Sequence, residues 1–211
     1  TIDIHCGGVD LKFPHHENEI AQSNCAHGKP MANYWVHNEF LNMGSTKMSK
    51  SLGNVTLIDD LLKDWDGEVI RLALLKAHYR SELSWSEDLL KESKAQLNRW
   101  KEIHHQSIIL DISLIPDFPN SEFIDITKLN RRIIDSISFD MLTPEFFSTF
   151  QEIANNLKTS LEMPDSMTVG GQDGEKTWEY GADEERAYWY KLFLKGANLL
   201  GLLQKDPEEW F

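Results

Sequence analysis

The apolar spacing of this chain changes near Ser86. Beyond it, Leu89, Leu90, Leu97 and Trp100 recur on one helical face, which predicts an amphipathic helix from Ser86-Glu87-Asp88 to about Ser107. Similar patterns predict helices at about 127–138, 144–161 and 182–203. Between them, 108–123 is apolar and proline-punctuated and reads as a linker. Residues 163–181, with Gly170-Gly171, Asp173-Gly174 and Gly181, read as a flexible excursion. The first 85 residues are organised differently. Asp3 to Cys6 reads as the end of a strand broken by Gly7-Gly8; Pro14 then opens a helix to about His27, with Gly28 as its stop. Tyr34 to Leu41 alternates like a second strand. Short helices follow at 57–63, capped by Thr56, and at 68–78 after Gly67. The expected fold is α/β followed by all-α, with one domain over 1–84 and a helical bundle over 85–211.

Composition narrows the class. A 211-residue chain with 41% hydrophobic and 26% charged residues can bury one good core or two small ones. No apolar run reaches the roughly 18 residues that a membrane span requires. Two cysteines, Cys6 and Cys25, are too few for a disulfide framework, so a reducing cytoplasm is the default location. The chain starts at Thr1 rather than Met and has no basic-then-apolar leader, so it is expected to be a piece of a longer one. Net charge is −13 and pI about 5.0, the wrong sign for a protein that wraps a polyanion. Local basic patches remain compatible with phosphate contacts.

One such patch is the run Lys47-Met48-Ser49-Lys50-Ser51-Leu52-Gly53-Asn54. Two ammonium groups three positions apart, with serine hydroxyls between and beside them, can converge on one polyphosphate. Lysine suits the task as a flexible point charge. Gly44 and Gly53 bracket the segment and tolerate the dihedral changes of a loop that opens and closes. An isolated turn of this kind is more often solvated surface, and its context decides.

The context is the stretch Asp-Ile-His-Cys-Gly-Gly-Val-Asp-Leu-Lys-Phe-Pro-His-His-Glu-Asn-Glu-Ile-Ala-Gln-Ser-Asn-Cys-Ala-His-Gly at 3–28, then Asn33-Tyr34-Trp35-Val36-His37 and Ala77-His78-Tyr79-Arg80-Ser81. With the lysine segment, these strings resemble the cysteinyl-tRNA synthetases, class I aminoacyl-tRNA synthetases. The resemblance is close over roughly 3–90 and returns faintly at Gly201 to Pro207. It implies the second half of a Rossmann-like catalytic domain carrying the KMSKS loop, then a bundle that supports tRNA. The histidine motif that the family places across the nucleotide does not occur here, and His15-His16 is not that motif. The anticodon-reading module of the family would follow Phe211.

His15 and Glu19 stand i, i+4 on the expected helix and can share one cation; by spacing alone an exposed His/Glu pair is the commoner reading. The resemblance makes them two of four zinc ligands, the others being cysteines upstream. An open position on zinc would bind the thiolate of cysteine and discriminate against serine by ligand softness. The resemblance also places His5 and His37 along the substrate pocket and makes Lys50 an ATP contact. His16 can reach the same crevice. Trp35 either walls an adenine or packs in the core. Gly7 and Gly8 allow close backbone approach to a nucleotide, and Asp10 is a candidate ribose ligand. Lys47 and Lys50 are the expected catalytic residues, with Ser49 beside them, because charge builds on the departing pyrophosphate. Cys6 is read as an ordinary free thiol. Arg131, Arg132, Lys91, Lys94 and Arg99 are candidate phosphate contacts, though a solvated helix face is the commoner fate of such residues.

The implied reaction is ATP-dependent activation of L-cysteine, with Mg accompanying ATP, and transfer to tRNA(Cys). The implied partners are the missing N-terminal half of the same enzyme and tRNA, with no membrane and a monomeric full-length form. Most tRNA contacts are expected outside this acidic chain. Two rivals stand beside it: a paralogous ligase joining cysteine to an amino sugar, and a non-catalytic binding module.

Overall fold

The computed structural model describes residues 1–43, 46–47, 56–110, 112, 126–163, 166–169 and 178–205. Strand β1 (Ile2–Gly8) runs parallel to β2 (Ala32–Asn38), pairing His5 with Trp35 and Gly7 with His37. Two parallel neighbours need a crossover, and residues 9–31 supply it. It begins with a 3-10 turn at Val9–Leu11 and a π-type turn at Lys12–His16, and continues as α1 (Glu17–His27). Phe13 is extended at φ −139° and ψ 133°, so helical backbone resumes at Pro14 as the proline suggested, and the regular hydrogen-bonded helix is established from Glu17. Gly28 ends α1 as expected, in the left-handed conformation at φ 62°, where a side chain is disfavoured.

Strand β3 (Leu41–Met43) follows β2 almost at once. It pairs antiparallel with β4 (Thr46–Lys47) and parallel with β5 (Leu83–Trp85). The register sets Asn42 opposite both Lys47 and Ser84. Helices α2 (Ile58–Leu61) and α3 (Gly67–Leu75) lie between β4 and β5. Their caps differ from expectation. Leu57, not Thr56, precedes α2 and makes no side-chain cap, whereas the Asp66 carboxylate accepts from the Glu68 N–H at 2.9 Å and starts α3.

Helix α4 (Glu87–Ile109) is capped by Ser86, whose hydroxyl accepts from Leu89 N–H at 3.1 Å. It is followed by α5 (Ile126–Ser138), α6 (Thr143–Leu161) and α7 (Ala182–Leu199). The core sits where these helices meet. Leu97 and Trp100 of α4, Phe146, Phe150, Ile153 and Leu157 of α6, and Phe193 of α7 are essentially inaccessible. Each such side chain stabilises the fold by roughly 1.5–3 kcal/mol relative to exposure. Trp100 meets Phe150 edge-on at 4.8 Å between ring centroids, and Phe150 stacks on Phe193 at 5.1 Å. Val69, Ile70, Leu72 and Ala73 of α3 belong to the same apolar cluster, so α3 is packed onto the bundle.

Two features of the second half were not anticipated. Strands β6 (Ser166–Val169) and β7 (Trp178–Gly181) form an antiparallel hairpin inside the stretch read as a flexible excursion. Its glycines gave a stronger signal than two four-residue strands. Helix α7 ends at Leu199 rather than near 203. Gly201 turns the chain at φ 65°, and the segment beyond it folds back on α3: Gln204 N–H donates to Glu68 Oε1 at 2.9 Å and Lys205 Nζ pairs with Asp66 at 3.2 Å. No helix among the described residues is long and apolar enough to cross a membrane.

Candidate functional site

The parallel pairing of β1 and β2 aligns every second side chain of the two strands on one face. On that face stand His5, Trp35 and His37, and the turn after β1 delivers His15, His16 and Glu19 to it. His16 is the centre, 3% exposed. Its ring lies 4.8 Å from His5, 5.2 Å from Trp35 and 5.0 Å from His37, measured between centroids. Its Nδ1 is 2.8 Å from His37 Nε2, so one imidazole donates to the other. A methyl group on Gly7 would lie 2.6 Å from His16 Cε1, so the absence of a side chain there lets the ring fill its position.

Glu19 lies between two imidazoles. His5 Nε2 lies 3.1 Å from one carboxylate oxygen and His15 Nε2 3.1 Å from the other. The i, i+4 spacing of His15 and Glu19 therefore brings them together as expected. Donor atoms of His5, His16 and Glu19 all lie within 4.8 Å of one another. Burial, and after it the neighbouring His16, Lys12, His5 and Arg80, holds the His37 imidazole below its usual range, which favours the neutral ring. Asp10 lies beside the glycine turn: a Cβ on Gly8 would fall 2.5 Å from Asp10 Oδ1. Cys6 and Cys25 are free and exposed.

Two ligands of a tetrahedral zinc ion, each about 2.0–2.1 Å from it, stand about 3.3 Å apart. The 3.1 Å between His15 Nε2 and Glu19 Oε1 matches that span, and both atoms are suitable donors. These residues fit a zinc ion. His5 Nε2 stands at the same 3.1 Å from the other Glu19 oxygen, so by distance alone either imidazole can share a cation with Glu19.

Of the lysine segment, Lys47 is placed by its backbone at the end of the β3–β4 hairpin, while Ser49 and Lys50 lie outside the described residues. The cationic residues of the bundle mostly face acids. Lys91 pairs with Glu87 at 2.9 Å, Arg132 with Glu152 at 3.0 Å and Arg131 with Asp135 at 3.9 Å, while Lys94 lies over the Trp65 ring at 6.0 Å. Sequence reasoning gave no role to the string Ala77 to Ser81. The structure joins His78, Tyr79 and Arg80 to Asp140, in the turn between α5 and α6. Nothing in the sequence spacing signals that pairing.

Residues 1–95 match the family described as tRNA synthetases class I (C) catalytic domain, which covers both the histidine cluster and the lysine segment. A solved LeuRS–tRNA–LeuAMS ternary complex from Agrobacterium radiobacter shares the fold: its TM-score is 0.70 at 11% identity, over 92% of this chain and 25% of that one. At closer range, the whole chain is similar to cysteine–tRNA ligases. It is 43% identical to that of Hyphomonas neptunium over 210 residues, 43% to that of Maricaulis maris over 213, and 38% to that of Xanthomonas euvesicatoria over 213. The alignments take in 100% of this chain and 39–42% of those relatives, so the chain spans about two-fifths of their length.

Proposed function

We propose that this chain is the part of a cysteine–tRNA ligase that carries the amino-acid pocket, the lysine loop and the tRNA-supporting bundle. The observation that carries the reading is the cluster of His5, His15, His16, His37, Trp35 and Glu19 at one sheet face, joined through β3 to the hairpin that bears Lys47. Residues 1–84 form the second half of a Rossmann-like domain and 85–211 the bundle. His15 and Glu19 hold zinc together with two ligands from the rest of the enzyme. Bound zinc supplies a soft site for the substrate thiolate, which serine cannot match. His37, whose neutral ring is favoured, and His5 orient the amino acid by hydrogen bonds, and Trp35 walls the pocket. Gly8 lets the backbone approach the nucleotide, with Asp10 at the ribose. Lys47, Ser49 and Lys50 close on the phosphates of Mg-bound ATP and stabilise the charge that develops as pyrophosphate departs. The activated cysteine is then transferred to tRNA(Cys) in the cytoplasm.

The remainder of the enzyme has a place to dock. Ile2, Ile4 and Tyr34, on the sheet face opposite the histidines, are 46%, 59% and 70% exposed, whereas parallel sheets are ordinarily covered on both faces. Without that remainder the chain holds half a zinc cage and half an ATP site, and acts as a binding module only. A paralogous ligase that joins cysteine to an amino sugar would share the pocket but has no need of the bundle. Charging of tRNA(Cys) by the full-length enzyme, set against ligation of cysteine to an amino sugar, decides between them. Cysteinyl-tRNA as the sole product supports the reading; amino-sugar product without charging overturns it.

A further inference from the structure

Three consecutive side chains, His78, Tyr79 and Arg80, direct their polar atoms at a residue 60 to 62 positions later. Tyr79 OH donates to Asp140 Oδ1 at 2.5 Å, and an Arg80 terminal nitrogen donates to the same oxygen at 2.9 Å. Arg80 Nε also donates to the Tyr79 oxygen at 2.8 Å, while His78 Nε2 lies 2.7 Å from the Asp140 carbonyl oxygen. Asp140 and Met141 occupy the left-handed region at φ 57° and 52°, which residues other than glycine enter at a cost unless their surroundings hold them there. Beside this network a cavity of about 380 Å³ separates the β2–β3 connection from Met141 and Thr143. Around that cavity the joint combines these directed bonds, and a further one from Thr143 Oγ1 to the Ala77 C=O at 3.2 Å, with the apolar cluster that buries Trp85 and takes Leu41, Met43 and Leu83 against it. Exposed ion pairs of this kind stabilise a fold little. What such a cluster fixes is geometry.

That geometry leads to the lysine hairpin through a backbone or side-chain contact at every step. Tyr79 C=O accepts from the Glu39 N–H at 2.8 Å, and Phe40 C=O accepts from the Leu83 N–H at 3.1 Å. Asn42 Nδ2 donates to Glu82 Oε2 at 2.8 Å. Strand β5 then pairs with β3, and β3 pairs with β4 at Lys47. We propose that Asp140 is a positioning residue, through which the α5–α6 turn of the bundle sets the place of β3 and of the lysine hairpin. The bundle thereby bears on the strand that carries Lys47. The catalytic consequence rests on the ligase reading; the mechanical one does not.

The test has two arms. In the first, amide hydrogen exchange is followed in this chain with Asp140→Ala and Asp140→Asn. The Glu39 and Leu83 amides, which never touch Asp140, should exchange on the order of tenfold faster in the alanine variant while the Phe150 and Phe193 amides keep their protection. The asparagine variant, which retains an acceptor for Tyr79, should fall between, and it decides the matter should the alanine variant unfold. Unchanged protection at Glu39 and Leu83 overturns the proposal. In the second arm, the full-length enzyme carrying Asp140→Ala should lose cysteine-dependent pyrophosphate exchange in kcat, on the order of tenfold, with little change in KM for cysteine. Loosened amides with unchanged kcat would make Asp140 a structural residue only and overturn it. An enzyme with no exchange before mutation would sink the ligase reading, and the amide arm would still decide the positioning role.

Discussion

His16 can lie at the centre of the cluster because Gly7 has no side chain. Gly7→Ala should therefore push the His16 ring away from His37, and nitrogen-detected NMR should show the His16–His37 hydrogen bond lost. Unchanged imidazole shifts would mean that the ring has room the structure does not show. Tyr190 sets a second expectation at this scale. Burial raises its phenol to about 12, and its hydroxyl lies 3.1 Å from His104 Nδ1. The unfolded chain loses that proton near pH 10. The associated stability is whole below about pH 10 and is lost as pH rises through about 12, because the folded chain holds more protons in that window. Tyr190→Phe should flatten the alkaline fall in unfolding free energy measured with urea, and an alkaline limb as steep as before would contradict the assignment.

Elements were legible where local chemistry dominates. Ser86 opens α4 and Gly28 closes α1 as their residue types require. Ser86→Ala should cost about 1 kcal/mol in urea unfolding, and no change would show that α4 is held by packing alone. Partners brought together by the tertiary fold were not legible. No local signal ties Arg80 to Asp140 or Gln204 to Glu68. The β6–β7 hairpin was hidden because two four-residue strands carry too little periodicity against a glycine-rich background. Close packing of α6 on α7 likewise depends on Gly196, where a methyl group would fall 2.7 Å from the Phe150 ring. Gly196→Ala should lower the melting temperature more than Ser86→Ala does; the reverse order would mean that the two helices can separate at small cost.

At the scale of the molecule, the proposed function puts a site for anionic substrates on an acidic chain. The net charge of −13 is compatible with that proposal because several described bundle cations are matched with neighbouring acids, while Lys47 and Lys50 lie three positions apart in the sequence. The half of the site formed by sequence neighbours, His15 and Glu19, could be read from spacing. The half formed by strand pairing, with His16 between His5, Trp35 and His37, needed the parallel register of β1 and β2. The most direct test of the account is cysteine-dependent ATP–pyrophosphate exchange by this chain mixed with the N-terminal half of a similar ligase, with Lys50→Ala alongside. Exchange that appears only in the mixture and disappears with Lys50→Ala is the predicted result. No exchange from a mixture that associates and holds zinc would contradict it.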